Sequence, residues 1–326
     1  MSELRRDPVT RKLVIMAKAR RRRLLQKQKC PFCEGHEEET PPEIYALRPK
    51  ASRPNSPGWH VRVIPNKYPA LSLEKNFAKI STGLFERLTG SGAHELIVEA
   101  PKHVTDFGAL PIVQICRVIR VYKARLRALR GEFKYLLLFK NAGAAAGASL
   151  THVHSQLIAL PLIPDVVAQE LENAAAYYKS RNKCLYCELI RQELKRAERV
   201  IEVDKHFVVL APFASRFPFE CHILPRRHSH DFTKLSERQT LSLAQTLKRT
   251  LLRLKQALGN PAFNWVLHTA LPARANEIKR SFHWRWEILP RTTQPAGLEF
   301  GSGIYVNPVA PEEAAEILIS ADPRSP

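Results

Sequence analysis

Two histidines and a glutamine at alternate positions have the residue types and spacing best suited to chemistry in this chain. His152, His154 and Gln156 lie in residues 149–160, where alternating polar and apolar residues with β-branched members predict a strand. Successive side chains of a strand point to opposite faces, so all three would line one face. An isolated His-x-His pair is also typical of a solvated strand. A neutral imidazole, however, is a competent nucleophile once an acceptor holds its other ring nitrogen.

The stretch before this strand consists almost entirely of small residues. Residues 141–148 contain Gly143, Gly147 and several alanines, so their backbone N–H groups can approach a phosphate closely. We expect a carbonyl of this stretch to accept the hydrogen bond that fixes the tautomer of His154.

The segment NAGAAAGASLTHVHSQ resembles the active-site strand of the galactose-1-phosphate uridylyltransferase family, a branch of the histidine-triad superfamily with the motif His-Pro-His-x-Gln. Val153 stands at the position of the proline, while Asn141 and Ser149 also match. The resemblance implies that His154 is the nucleophile and forms a nucleotidyl intermediate. Gln156 would then donate a hydrogen bond to a phosphoryl oxygen as charge develops there. Ser149 would contact the leaving phosphate, and Asn141 would support the loop.

Position 156 separates transfer from hydrolysis within that superfamily. Histidine-triad hydrolases carry a third histidine there, whereas transferases of the resembling family carry the glutamine found here. An amide cannot act as the general base that would activate water. We therefore expect the acceptor to be a phosphate group.

The charge of the chain predicts an anionic partner. Its 326 residues contain 51 Lys and Arg against 31 Asp and Glu, a formal charge of +20, and the length is sufficient for two domains. No apolar run reaches the roughly 20 residues of a membrane span. No apolar core follows the basic N-terminus, so we predict no secretory signal and a cytoplasmic location.

Four of the six cysteines form two Cys-x-x-Cys pairs, CPFC and CLYC. Such a pair alone predicts either a metal site or a redox site. The resemblance assigns the first pair and two histidines to a structural zinc, and the second half repeats these positions. We expect about two zinc ions per chain, each with four protein ligands and no open position for water. The two predicted ligand sets are Cys30, Cys33, His103 and His152, and Cys184, Cys187, His228 and His283.

The two halves of the chain repeat each other. FECHILPRRH echoes HELIVEAPKH, FNWVLHT echoes YLLLFKN, and FHWRWEILPR echoes THVHSQLIALP. We predict an α+β fold of two duplicated histidine-triad-like units, each a mostly antiparallel sheet with packed helices. Residues 1–178 would form the catalytic unit and residues 179–326 a degenerate one. In the latter, Arg285 and Glu287 stand at the positions of the nucleophile and the amide.

The resemblance implies further substrate contacts outside the strand. Arg6, in the opening segment RRDPVT, would approach the nucleotide phosphates. Asn66 and Tyr68, in the turn after a predicted strand, would contact the nucleotide. Glu299, in AGLEFGSGIYVN, would bind sugar hydroxyls. The family forms dimers, so we expect a homodimer whose substrates are a nucleotide sugar and a sugar phosphate.

The predicted activity is ping-pong nucleotidyl transfer from a nucleoside-diphosphate sugar to a hexose 1-phosphate through nucleotidyl-His154. One alternative is a phosphorylase that uses inorganic phosphate, of the ADP-glucose or dinucleoside-polyphosphate kind. A second is a basic zinc-knuckle protein that binds nucleic acid without catalysis. The order HVHSQ after NAGAAAGAS argues against the second, since a binding module does not need that strand.

Overall fold

The computed structural model describes residues 2–17, 20, 29–72 and 78–323. The strands in these residues are β1 Glu3–Arg6, β2 Leu13–Met16, β3 Tyr45–Leu47, β4 Val61–Pro65, β5 Lys79–Thr82, β6 Phe85–Thr89, β7 Ala93–Val98, β8 Tyr135–Ala142, β9 His154–Leu160, β10 Val200–Val203, β11 Phe207–Leu210, β12 Cys221–Pro225, β13 Phe263–His268 and β14 Arg285–Pro290. The helices are α1 Ile112–Leu129, α2 Asp165–Arg181, α3 Leu185–Arg196, α4 Glu237–Leu258, α5 Gly297–Ser302 and α6 Pro311–Ser320.

Ten strands form one sheet in the order β10-β11-β12-β14-β13-β8-β9-β7-β4-β3. Each pair of neighbours is antiparallel, including β13 with β8, which joins the two halves of the chain. A second, antiparallel sheet has the order β2-β1-β6-β5. The predicted α+β class, with antiparallel sheets and packed helices, is confirmed.

Two long helices, α1 and α4, pack beside each other on one face of the large sheet. α1 buries apolar side chains at helical spacing, among them Ile115, Ile119 and Leu126. α4 begins at a capping box, in which Ser236 and Gln239 bond each other's backbone N–H groups. The largest apolar core lies between these helices and the sheet. Alternation along β9 directs Leu157 into this core, so the residues of the opposite register face away from the helices.

The predicted strand over residues 149–160 was wrong at its start, because β9 begins only at His154. The preceding residues form a loop, in which Val153 exchanges backbone hydrogen bonds with Val104 and Glu99. In a continuous strand the side chain of His152 would line up with those of His154 and Gln156. In this loop its ring faces the sulfurs of Cys30 and Cys33 instead. A short apolar strand over residues 13–17 is predicted from the sequence and is found as β2, whereas the other strands of the small sheet and helix α3 were not predicted. Among the described residues, every helix is too short or too polar to cross a bilayer.

A buried ion pair lies directly behind the start of β9. Lys140 is 2% exposed and its Nζ donates to the carboxylate of Glu99, which is 0% exposed, and to the backbone carbonyl of His154 at 2.7 Å. The same carboxylate accepts hydrogen bonds from the hydroxyls of Tyr122 and Ser155. Two buried charges thus satisfy each other and tie β8, β9 and α1 together.

We expect Lys140→Met to lower the free energy of unfolding by roughly 3–5 kcal/mol, because it leaves a buried carboxylate without its cation. Urea denaturation of the variant and wild type measures the difference. Lys255→Met is the matched control, since Lys255 pairs with Asp106 at the surface with about half of its side chain exposed. Equal stability of the two variants would contradict this role of the buried pair.

Candidate active site and metal centres

The His154 ring is held in one tautomer by the backbone two residues before it. Its Nδ1 donates to the carbonyl of His152 at 2.8 Å, which leaves the lone pair of Nε2 free. The expected acceptor in the Gly/Ala stretch was wrong, because the turn of the chain before β9 brings this closer carbonyl to the ring. Burial, and next the positive charge of Lys140, lower the pKa of His154 to about 4. The ring is therefore neutral and nucleophilic at neutral pH.

A pocket opens on the face of the large sheet opposite α1 and α4. β9, β7 and β4 form its floor through Gln156, Leu96 and Ile64. Five of the predicted site residues line this one pocket, although they come from two separate parts of the chain. These residues are Asn66, Tyr68, Ser149, His154 and Gln156.

Three further residues of this pocket were not predicted from the sequence. Lys29 and Lys67 are exposed cations at its rim, suited to phosphate oxygens. Phe32 is 5% exposed, and its ring meets that of His154 edge-on with centroids 5.2 Å apart. Phe32 lies inside CPFC, where the cysteines drew attention to a metal and the residue between them carried no signal of its own.

Asn141 lies in an adjoining cavity that His154 also lines. Its Oδ1 accepts a hydrogen bond of 2.9 Å from Nδ2 of Asn264, which also donates to the carbonyl of Ala146 at 2.9 Å. Asn264 belongs to β13, so a side chain from the second half of the chain holds the Gly/Ala stretch. Gly143, at φ 83°, is required there because a Cβ would lie 2.8 Å from that of Ala262.

Arg6 and Glu299 lie away from this pocket within the chain. The guanidinium of Arg6 pairs with Glu86 at 2.9 Å and Asp165 at 3.4 Å. The carboxylate of Glu299 accepts the backbone N–H groups of Ala296 and Val306 on an exposed segment. The structure therefore does not bring these two predicted contacts to His154.

The first predicted set of metal ligands comes together as a cluster. The donor atoms of Cys30, Cys33, His103 and His152 all lie within 4.8 Å of one another. The two thiol sulfurs lie 3.4 and 3.7 Å from Nδ1 of His152. A tetrahedral zinc requires sulfur and nitrogen ligands roughly 3.6 Å apart. Nε2 of His152 donates to the carbonyl of Ala100 at 2.8 Å, which directs the lone pair of Nδ1 toward the sulfurs.

The second predicted set repeats this arrangement. The donor atoms of Cys184, Cys187, His228 and His283 also lie within 4.8 Å of one another. The sulfur of Cys187 lies 3.4 Å from Nδ1 of His228 and 3.7 Å from Nδ1 of His283. Both rings donate from Nε2 to backbone carbonyls at 2.8 Å. The donor chemistry and spacing of both clusters are compatible with zinc.

The second half has a network of ion pairs at the position that His154 occupies in the first half. Arg285 opens β14 as His154 opens β9, and its guanidinium pairs with Glu170 and Glu287. Glu287, Glu220 and His222 form a third cluster of possible ligands. Arg216 already supplies a cation there, at 2.8 Å from Glu220 and 2.7 Å from Glu287. These carboxylates are therefore neutralised by arginines.

Comparison with known proteins places the chain among nucleotidyltransferases. The model of the galactose-1-phosphate uridyl transferase N-terminal domain matches residues 1–164, and that of a domain of unknown function (DUF4921) matches residues 121–322. ADP-glucose phosphorylase of Arabidopsis thaliana is 35% identical over 97% of this chain and 92% of its own length. Galactose-1-phosphate uridylyltransferase of Thermotoga maritima is 30% identical over 98% of each chain.

Two solved structures agree with these matches. The structure of a uridylyltransferase mutant has a TM-score of 0.84 at 29% identity, over 98% of this chain and 97% of that one. The A. thaliana ADP-glucose phosphorylase with bound ADP-glucose has a TM-score of 0.78 at 33% identity, over 98% and 99%. The chain therefore belongs to the galactose-1-phosphate uridylyltransferase family.

Proposed function

We propose that the protein transfers a nucleotidyl group from a nucleoside-diphosphate sugar to a hexose 1-phosphate, with His154 as the nucleophile. The observation that carries this proposal is the hydrogen bond from Nδ1 of His154 to the carbonyl of His152. That bond leaves Nε2 as the one ring nitrogen able to attack, on a neutral ring that lines the pocket.

The reaction has two displacements at the α-phosphorus. In the first, Nε2 of His154 forms the N–P bond while the bond from phosphorus to the sugar-phosphate oxygen breaks, and the sugar phosphate leaves. In the second, a phosphate oxygen of the acceptor forms the new P–O bond while the N–P bond breaks. Gln156 donates to a phosphoryl oxygen, and Ser149 contacts the leaving phosphate. An acceptor that is already an anion requires no base to remove a proton.

The nucleotide occupies the part of the pocket formed by Asn66, Tyr68 and Phe32. Lys29 and Lys67 at the rim attract its phosphates, as part of the +20 charge of the chain. Glu299 contacts the hexose only if a second subunit brings it there. Its segment carries exposed apolar side chains, Leu298 and Phe300 among them, which is consistent with a homodimer. Arg6 remains a proposed contact of the nucleotide phosphates. To reach them, its guanidinium would have to break its ion pairs with Glu86 and Asp165.

We propose zinc in both Cys₂His₂ clusters, with four protein ligands each and a structural role. The zinc in the first cluster would fix His152 and through it the start of β9. Because four thiols must stay reduced for this, a cytoplasmic location is part of the proposal.

We also propose that the chain is an internal duplication, with units of residues 1–178 and 179–326. The support is the strand order of the large sheet, β3-β4-β7-β9-β8 in one half and β10-β11-β12-β14-β13 in the other, which meet at β8 and β13. The second unit has Arg285 at the position of the nucleophile, so it has a supporting role. It contributes Asn264 to the catalytic unit.

A phosphorylase that uses inorganic phosphate as the acceptor is the second candidate. The observation in its favour is the 35% identity to the A. thaliana ADP-glucose phosphorylase over nearly the full length of both chains. The same nucleophile and the same first displacement serve both reactions, so the acceptor alone separates them.

We expect about two zinc ions per folded chain and a loss of folding in Cys30→Ser, since structural zinc provides on the order of 10 kcal/mol. Elemental analysis and circular dichroism measure these outcomes. Cys116→Ser is the matched control, because Cys116 is a buried thiol outside both clusters and should keep the metal. A folded, metal-free wild-type protein would show that the clusters are not zinc sites.

We expect His154→Gly to form no covalent adduct with a radiolabelled nucleotide sugar while its zinc content stays at the wild-type level. The reason is that His154 is the proposed nucleophile and is not a member of either metal cluster. His206→Asn, in the turn before β11, is the control and should be labelled normally. An acid-labile, base-stable nucleotidyl-protein in the His154→Gly variant would assign the nucleophile elsewhere.

We expect ping-pong kinetics, with parallel lines when donor and acceptor are varied. Without an acceptor, hydrolysis of the nucleotidyl-enzyme should be slower than its discharge by the acceptor by a factor of roughly a hundred or more. A factor of that size is the usual effect of a missing general base. Isolated nucleotidyl-enzyme is mixed in turn with hexose 1-phosphate, with inorganic phosphate and with buffer alone. Faster discharge by the sugar phosphate supports the uridylyltransferase, and faster discharge by phosphate supports the phosphorylase. Equally fast discharge by water would contradict the role given to Gln156.

A further inference from the structure

His94, which no motif singled out, lies against Gln156, one of the residues that line the pocket. It is in β7 and is 5% exposed. Its Nδ1 accepts the backbone N–H of Ala70 at 3.1 Å, and its Nε2 lies 2.9 Å from Oε1 of Gln156. Gln156 is also 5% exposed, so this contact is shielded from water.

The proton of His94 can be placed from these contacts. A backbone N–H always donates, so Nδ1 must be the nitrogen without a proton, and the neutral ring carries its proton on Nε2. Two side-chain atoms lie near Nε2, namely Oε1 of Gln156 at 2.9 Å and Nδ2 of Asn66 at 3.1 Å. Oδ1 of Asn66 accepts the backbone N–H of Tyr68, so Nδ2 of Asn66 faces the ring of His94. An amide nitrogen is a donor and cannot accept the proton on Nε2 of His94. Oε1 of Gln156 is therefore the acceptor.

This hydrogen bond decides which end of the Gln156 amide faces the substrate. An amide rotated by half a turn would present its oxygen to the phosphoryl group and repel it. We propose that His94 is a positioning residue, which holds Oε1 of Gln156 so that its Nε2 donates to the phosphoryl oxygens. The proposal rests on the proposed function, since it concerns the group that Gln156 binds during nucleotidyl transfer.

Two substitutions of His94 separate this role from a purely structural one. His94→Asn keeps an acceptor at the place of Nδ1 for the Ala70 N–H but has no donor at the place of Nε2. His94→Gln places an amide N–H near the place of Nε2. We expect the Asn variant to label His154 roughly tenfold more slowly in a single turnover, with the KM for the nucleotide sugar nearly unchanged, and the Gln variant to approach the wild-type rate. The reverse order, with the Asn variant fast and the Gln variant slow, would overturn the proposal.

A double-mutant cycle tests the path through Gln156. In a Gln156→Ala background, His94→Asn should slow labelling no further, because the amide that it orients is gone. A full and independent tenfold loss in that background would show that His94 does not act through Gln156.

One measurement on the wild-type protein is independent of activity. The ¹⁵N chemical shifts of His94 should report a neutral ring with its proton on Nε2, and a proton on Nδ1 would overturn the proposal even if labelling proceeds normally. Conversely, a wild-type protein with the Nε2–H tautomer that forms no nucleotidyl adduct would refute the proposed function and, with it, the role of His94.

Discussion

The ammonium of Lys140 and the carboxylate of Glu99 lie buried behind the first residue of β9, and the geometry of the pocket depends on them. Leaving either charge buried without its partner would cost roughly 3–5 kcal/mol, so each stabilises the position of the other. The pair therefore holds β8, β9 and α1 at fixed distances through the carbonyl of His154 and the hydroxyl of Tyr122. The same ammonium is one reason that the ring of His154 stays neutral.

His152 connects the first Cys/His cluster to His154, the proposed nucleophile. Its ring faces the thiols of Cys30 and Cys33, while its backbone carbonyl accepts the proton on Nδ1 of His154. A metal ion that binds the ring of His152 would therefore also fix the tautomer of His154. Three further contacts act on the pocket from other strands: His94 from β7, Asn66 after β4, and Asn264 from the second half of the chain. Residues from several strands of the large sheet therefore shape the pocket, in addition to the motif around His154.

The family, the nucleotidyltransferase class and the α+β fold were predicted from the sequence and are confirmed. They could be predicted because the motif around His154 consists of neighbouring residues and can be identified in a single sequence. The capping box of α4 and the apolar spacing of α1 are local patterns of the same kind. What the sequence did not reveal depends on pairings between distant residues. Asn264 and His94 act across strands, and nothing in their neighbours along the chain marks them. The start of β9 was placed too early because alternation at residues 149–153 is produced by a loop that orients His152, not by a strand.

In the proposed reaction a single atom, Nε2 of His154, receives the nucleotidyl group. A crystal structure of the intermediate, trapped by freezing the protein with a nucleotide sugar in the absence of acceptor, tests this claim most directly. The hydrogen bond from Nδ1 of His154 to the carbonyl of His152 predicts continuous density from Nε2 to the α-phosphorus. A phosphorus bonded to Nδ1, or to any other side chain, would contradict the account.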